Sequence, residues 1–257
     1  MASVSLSLAL SPLLLPAPRP RRQSRPINPG IPRRLRLSLA HGAPSRFAGP
    51  VAAAPDGVAI ADVVEKDWSF LDAAAAGGGL LRALAAGELS PASRVLAVTP
   101  APSFVAALLS GTPCQLLVAA HESLYVLAGI KEGHDEVRCF HLEGGGGGRG
   151  GGVVEAVPER FNAFDAVFVC YLPGMGVSVA ALLKSLVKRC SKGGRVVIFL
   201  DQGRQNLELH RREYPEVVTA DLPTRSSLEK ATAGSKFEIV EFVDEPALYL
   251  AVLEFQG

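Results

Sequence analysis

Cysteine and histidine are scarce in this chain, and their spacing excludes the common metal-binding patterns. The cysteines are Cys114, Cys139, Cys170 and Cys190. The histidines of the main body are His121, His134, His141 and His210. No CxxC pair and no His/Cys group has the spacing of a metal site, so no metal is expected. Cys139 and Cys170 stand in apolar runs, where a thiol usually acts as a small hydrophobic side chain.

Acidic residues are absent before Asp56, although the first 55 residues contain eight arginines and several serines and prolines. This composition is typical of an organelle transit peptide. The charges follow the opening apolar run instead of preceding it, which argues against a secretory signal. We therefore expect residues 1–55 to be a disordered transit peptide, cleaved near Val51–Ala54. The Met-Ala-Ser start and the prolines favour the chloroplast stroma over the mitochondrion. A basic tail that binds nucleic acid is the alternative.

The remainder, residues 56–257, has 18 basic and 25 acidic residues, a net charge of −7. Such a domain offers no basic surface for a phosphate backbone, so nucleic acid is not an expected partner. No apolar run after residue 16 is long enough to span a membrane. About 200 residues form one domain with a substantial core.

Short apolar runs alternate with helical segments along this domain. The expected strands are Arg94–Val98, Gln115–Ala119, Glu136–Leu142, Phe164–Tyr171, Arg195–Leu200, Phe237–Val243 and Ala247–Phe255. The expected helices begin at Asp67, Ser103 and His121. A further helix is expected over Val177–Cys190, with a stop at Ser191–Gly194, and a last one begins in a capping box at Ser226. Gly144–Gly152 is predicted to be a flexible surface insert. The last two strands are separated only by Asp244-Glu245-Pro246, which indicates a hairpin. The pattern predicts an α/β fold: a Rossmann-like, doubly wound, mostly parallel sheet with an antiparallel C-terminal hairpin strand.

Several of these stretches resemble the class I S-adenosylmethionine-dependent methyltransferases. The resemblance rests on LSPASRVLAV at the first strand, HESLYVLAGI after the second, FNAFDAVFVCYL at the fourth, CSKGGRVVIFLD at the fifth, and KFEIVEF with ALYLAVLEF at the hairpin. It spans Trp68 to Phe255, and SKGGRVVIFLD is its most specific piece. The resemblance implies S-adenosylmethionine as cofactor and methyl transfer as activity.

The chain departs from this family in the loop after the first strand. The family has glycines there, because the backbone must approach the cofactor closely. This chain has Thr99-Pro100-Ala101-Pro102, and its two prolines remove two N–H donors. The resemblance implies that Thr99 and Ala101 contact the cofactor if the loop still holds it.

The other candidate cofactor-binding residues follow later strands. The family's acidic residue at the end of strand two matches Ala119 or Ala120 here, and His121 and Glu122 lie just beyond. Glu122 either reaches the ribose or is an ordinary acid at a helix start. Glu143 follows strand three, where the family often places an acid near the adenine. Tyr171 follows strand four and either lines the pocket or packs in the core.

No catalytic residue can be named from the sequence. The segment Cys170-Tyr171-Leu172-Pro173 is not the motif of amine-methylating members, and no acid/base pair is evident. Three hypotheses stand. The chain is a plastid methyltransferase with a small-molecule or protein acceptor, or a non-catalytic methyltransferase-like protein that assembles or regulates a plastid complex. The third, a nicotinamide-dependent oxidoreductase, is disfavoured because GxGxxG is absent and the terminal hairpin does not suit it.

Overall fold

The computed structural model describes residues 65–73, 78–142 and 155–257. The predicted leader, the glycine-rich insert at 144–152 and the candidate Glu143 lie outside these residues. Within them, no helix is both long and apolar enough to cross a membrane.

In the described residues, seven strands form one sheet in the order β3-β2-β1-β4-β5-β7-β6. The strands are β1 (Arg94–Val98), β2 (Leu116–His121), β3 (Arg138–His141), β4 (Phe164–Val169), β5 (Cys190–Leu200), β6 (Phe237–Glu245) and β7 (Leu248–Phe255). Strands β1 to β5 pair in parallel, whereas β7 pairs antiparallel with both β5 and β6. The predicted fold class is therefore confirmed.

Helices cover both faces of this sheet. They are α1 (Phe70–Ala73), α2 (Gly78–Ala86), α3 (Pro102–Gly111), α4 (Leu124–Gly133), α5 (Val179–Leu186), α6 (Gly203–Glu213) and α7 (Arg225–Thr232), with a 3-10 turn at Leu172–Gly174. Successive side chains of a strand point to opposite faces. On β1, Leu96 and Val98 belong to the core under α5 and α7, whereas Val95 and Ala97 belong to the core under α2, α3 and α4. Continuous apolar runs are needed because both faces are buried.

The sequence prediction was wrong about the approach to β5. A helix through Cys190 and a stop at Ser191–Gly194 were expected, but α5 ends at Leu186 and β5 already begins at Cys190. The Ser191 hydroxyl binds the carbonyl oxygen of Phe164 and the carboxylate of Asp165, so the extra residues stay attached to β4. The register between β4 and β5 shifts at this point.

Helix α6 was not predicted from the sequence, and its first residues are held by specific contacts. Gly203 is buried with φ +68°, and an added Cβ would lie 2.3 Å from the carbonyl oxygen of Pro246. Arg204 forms an ion pair with Asp244 (2.8 Å) and donates to the carbonyl oxygen of Leu222 (2.8 Å). These contacts attach α6 to the terminal hairpin.

Helix α7 begins two residues earlier than its predicted capping box. Its N-cap is Thr224, whose hydroxyl accepts a hydrogen bond from the Ser227 N–H, and Glu229 pairs with Arg225. Thr is a preferred N-cap residue, so Thr224 takes the role that was predicted for Ser226.

We predict that Gly203→Ala destabilises the fold by about 2 kcal/mol or more, because the left-handed backbone and the backbone contact at Pro246 both oppose a Cβ. The measurement is urea unfolding followed by circular dichroism. Gly133→Ala is the matched control, since no atom lies within 4 Å of its added Cβ. Equal effects of the two substitutions would contradict this account of Gly203.

Candidate functional site

The carboxyl ends of the five parallel strands lie along one edge of the sheet. In doubly wound sheets this edge is where ligands bind, at the point where the strand order reverses. Here the order reverses between β1 and β4. The described residues before α2 cross this edge, and we call residues 65–72 the N-terminal strap.

The loop after β1 keeps the backbone shape of a glycine turn without a glycine. Thr99 has φ +52° and is buried. Its hydroxyl donates to the carbonyl oxygen of Val98 (2.8 Å) and accepts from the N–H of Tyr171 (3.1 Å). Its own N–H donates to the carbonyl oxygen of Ala120 (2.8 Å). Thr99 therefore joins the ends of β1, β2 and β4.

The N-terminus of α3 is bound by a strap carboxylate. Ala101, the N-cap residue, has no side chain that could cap the helix. Instead the carboxylate of Asp72 accepts from the N–H (3.2 Å) and the hydroxyl (2.8 Å) of Ser103. Helix N-termini bind anions through their free N–H groups and the helix dipole. Asp72 thus occupies a position that the anionic group of a ligand could otherwise take.

A second strap carboxylate binds the N-terminus of α4. Ser123 caps this helix through Val126 and donates its hydroxyl to Glu65, which also accepts from the N–H of Tyr125 (3.2 Å). Lys66 forms an ion pair with Glu122 (2.7 Å). The carboxylate of Glu122 is therefore directed at the strap rather than free to hold a ribose.

Trp68, the chain's single tryptophan, fills the space between these two anchors and is only 4% exposed. Its ring stands edge-on to His121 (4.7 Å between ring centres) and to Tyr171 (6.1 Å). An added Cβ on Gly174 would lie 2.4 Å from the indole. The glycine of the 3-10 turn is therefore required by the tryptophan.

Phe70 continues the strap away from Trp68. Its ring packs against Tyr171 (5.2 Å), His210 (4.7 Å) and Tyr214 (4.5 Å). The Tyr171 hydroxyl also lies 3.2 Å from Nδ1 of His210. Burial raises the pKa of Tyr171, so it remains a neutral phenol.

Two buried nitrogen atoms in this cluster have no hydrogen-bond partner in the described part of the chain: Nε1 of Trp68 and Nε2 of His121. Nδ1 of His121 accepts from the N–H of Ser123 (2.8 Å), so the neutral ring carries its proton on Nε2. Burial lowers the pKa of His121 to about 3, with smaller contributions from His141 and Lys66. Two N–H donors are thus left unsatisfied under the strap, at a cost of about 1–3 kcal/mol each.

A pocket that is open to solvent at its mouth lies beside Phe70: it is lined by Leu71, the next residue, and by His210, on which Phe70 packs. It is bounded by the loop after β1, the ends of β4 and β5, and residues of the strap, α2 and α6. Asp201 and His210 are its ionisable side chains beside the Cys170 thiol. Burial raises the pKa of Asp201 to about 6 and lowers that of His210. Burial, and next the Asp201 carboxylate, raises the pKa of Cys170, so its thiol is protonated.

The structure brings five of the six predicted site residues, Thr99, Ala101, His121, Glu122 and Tyr171, to the same edge of the sheet, while Glu143 lies outside the described residues. Their binding of a cofactor stays a prediction. Sequence reasoning missed Trp68, Asp72 and Asp201. Only Asp201 carried a signal, since it directly follows a buried parallel strand.

The residues present do not fit S-adenosylmethionine in this arrangement. Strand β2 ends in Ala119, Ala120 and His121, which are fully buried and supply no carboxylate for ribose hydroxyls. The next acid, Glu122, is ion-paired with Lys66. Trp68 lies directly against the end of β2, where the adenosine would need space. No group of acidic, histidine or cysteine side chains in residues 65–73, 78–142 and 155–257 could hold a metal ion.

No protein-family model and no curated protein matches this chain. Solved structures do match its fold. A methyltransferase in complex with the Haloferax volcanii Trm112 methyltransferase activator is 12% identical with a TM-score of 0.55, and the match covers 76% of this chain and 99% of that one. An S-adenosylmethionine-dependent methyltransferase from Mesorhizobium loti is 13% identical with a TM-score of 0.53, over 70% of this chain and 99% of that one. At these identities the likeness concerns the fold alone: this chain has the Rossmann-like fold of the class I S-adenosylmethionine-dependent methyltransferases.

Proposed function

We propose that this protein is a chloroplast methyltransferase-fold protein that acts by binding, in the assembly or regulation of a plastid complex, and not by methyl transfer. One observation carries the proposal: the N-terminal strap occupies the edge of the sheet at which a cofactor would bind. The acidic charge of residues 56–257 favours a protein partner over nucleic acid.

The strap is attached too firmly to act as a loose cover. Asp72 and Glu65 bind the N-termini of α3 and α4, and Trp68 and Phe70 are almost completely buried between them. Exposing the two aromatic side chains costs about 3–6 kcal/mol. Because each 1.4 kcal/mol changes a binding constant tenfold, a ligand that must displace the strap loses about 10²- to 10⁴-fold in affinity. An intrinsic Kd of about 1 μM would become about 0.1–10 mM.

The second candidate is an S-adenosylmethionine-dependent methyltransferase whose site opens when the strap leaves. The observation that favours it is the pair of unsatisfied donors, on Trp68 and His121. Their release to water offsets part of the cost of opening the strap. The left-handed backbone at Thr99 also preserves the turn shape of a glycine loop. In this case the acceptor would be a small molecule or a protein.

We expect calorimetric titration of the protein with S-adenosylmethionine and with S-adenosylhomocysteine to give no heat up to millimolar concentration. A thermal-shift assay on the same samples should show no stabilisation. Binding would be detected in this assay, because a ligand at 100 times its Kd would stabilise the protein by about 2.7 kcal/mol. Micromolar binding of both compounds would refute the non-catalytic proposal and support the second candidate.

The Trp68→Ala variant distinguishes a competent cofactor site that the strap covers from a site that no longer binds the cofactor. We expect this variant to be less stable by about 3–5 kcal/mol, because a large buried side chain is removed, and still not to bind S-adenosylmethionine. The readouts are urea unfolding and calorimetry, and Leu81→Ala, at a side chain 69% exposed and outside the strap, is the control.

If Trp68→Ala folds poorly, Asp72→Asn weakens the strap without creating a cavity in the core. A gain of 100-fold or more in affinity for S-adenosylmethionine in either variant would show that the strap covers a competent site.

A further inference from the structure

We propose that the pocket beside Phe70 binds a small organic ammonium compound, with its apolar part against the pocket walls and its N–H groups on the carboxylate of Asp201. This binding goes beyond the proposed function and requires no methyl transfer. The pocket is a space separate from the one that Trp68 fills.

The walls of the pocket are apolar. They are formed by Leu71, Leu80, Ala101, Phe104, Phe199 and Leu200. Small-molecule sites are mostly apolar with a few polar groups that orient the ligand, and the lining of this pocket has that character. Two phenylalanine rings, 5.5 Å apart between centres, suit a flat or branched hydrocarbon group.

Asp201 is the polar group that the fold leaves unused. It directly follows β5, and Gly79 at the start of α2 approaches it so closely that an added Cβ would lie 3.1 Å from its Cβ. Its carboxylate takes a hydrogen bond from its own backbone N–H, and no cationic side chain in the described residues pairs with it. A partly desolvated carboxylate without a cationic partner is unfavourable, and a bound cation would offset this cost. A polar group of this kind in a cleft is a candidate for ligand binding.

The other polar side chains of the pocket are already engaged or neutral. The Ser103 hydroxyl donates to Asp72, and the imidazole of His210 is bonded to Tyr171. The thiol of Cys170 stays protonated because burial raises its pKa. The negative charge of Asp201 is therefore the charge that the described lining offers to a ligand. A cation with N–H donors complements it, whereas a carboxylate or phosphate ligand would be repelled.

The test compares three probes of similar size and different charge, namely benzylamine, benzyl alcohol and benzoate, by ligand-observed NMR titration of the protein at pH 7.5. We expect benzylamine to bind at least tenfold more tightly than benzyl alcohol, and benzoate to bind least. Asp201→Asn should remove the preference for the amine. Asp135→Asn, at an exposed turn carboxylate, should leave it unchanged.

The proposal is overturned if the three probes bind equally, if none binds, or if Asp201→Asn keeps the preference for benzylamine. Selective binding of the alcohol would assign the pocket to neutral ligands instead and would also overturn it.

The environment of Asp201 can be checked without any ligand. Burial raises the pKa of Asp201 from 3.8 to about 6 on folding. The ionised carboxylate therefore destabilises the folded protein increasingly as the pH rises from about 4 to 6, and the full destabilisation is present above pH 6. The other ionisable groups beside it are Cys170 and His210, with Asp72 behind Ser103. We expect Asp201→Asn to raise Tm relative to the wild type at pH 8 but not at pH 4. A difference in Tm that is the same at both pH values would contradict the desolvated carboxylate and with it the proposal.

Discussion

The contact of the Trp68 indole with the end of β2 is the interaction on which the whole edge of the sheet depends. It requires glycine at position 174, where any side chain would meet the ring. It encloses His121 so completely that the imidazole must remain neutral. It also places Asp72 and Glu65, on either side, at the N-termini of two helices. An apolar ring and two carboxylates of the chain thus occupy the edge at which doubly wound sheets commonly bind ligands.

Thr99 shows how a glycine loop can be lost while its shape is kept. A left-handed backbone costs a non-glycine residue about 1–2 kcal/mol. The hydroxyl group offsets this cost, since it bonds to the strand ends of both β1 and β4. The loop thus keeps its shape through hydroxyl bonds to the protein itself, which a glycine could not make.

The sheet could be predicted from the sequence, but most of the site could not. Strands such as Arg94–Val98 have apolar side chains on both faces, because helices bury both faces of the sheet. Such a run of apolar residues is contiguous in the sequence and can therefore be recognised without the structure. Helix α6 has no such signal: it begins after Gln202 without a capping side chain and is largely polar. The strap was expected only as a helix start, because its role depends on residues more than 50 positions away, such as His121 and Gly174. Spatial convergence of this kind leaves no periodicity in the sequence.

The strap and the pocket share side chains and therefore cannot be independent. Phe70 packs on Tyr171 and His210, and Leu71, the next residue, lines the pocket wall. A molecule bound in the pocket would add contacts to the strap in its closed position. Since coupling between two sites is reciprocal, whatever stabilises the closed strap also strengthens binding in the pocket, and a partner that draws the strap away weakens it. Under the two proposals, a small molecule in the pocket would therefore affect partner binding through the position of residues 65–72.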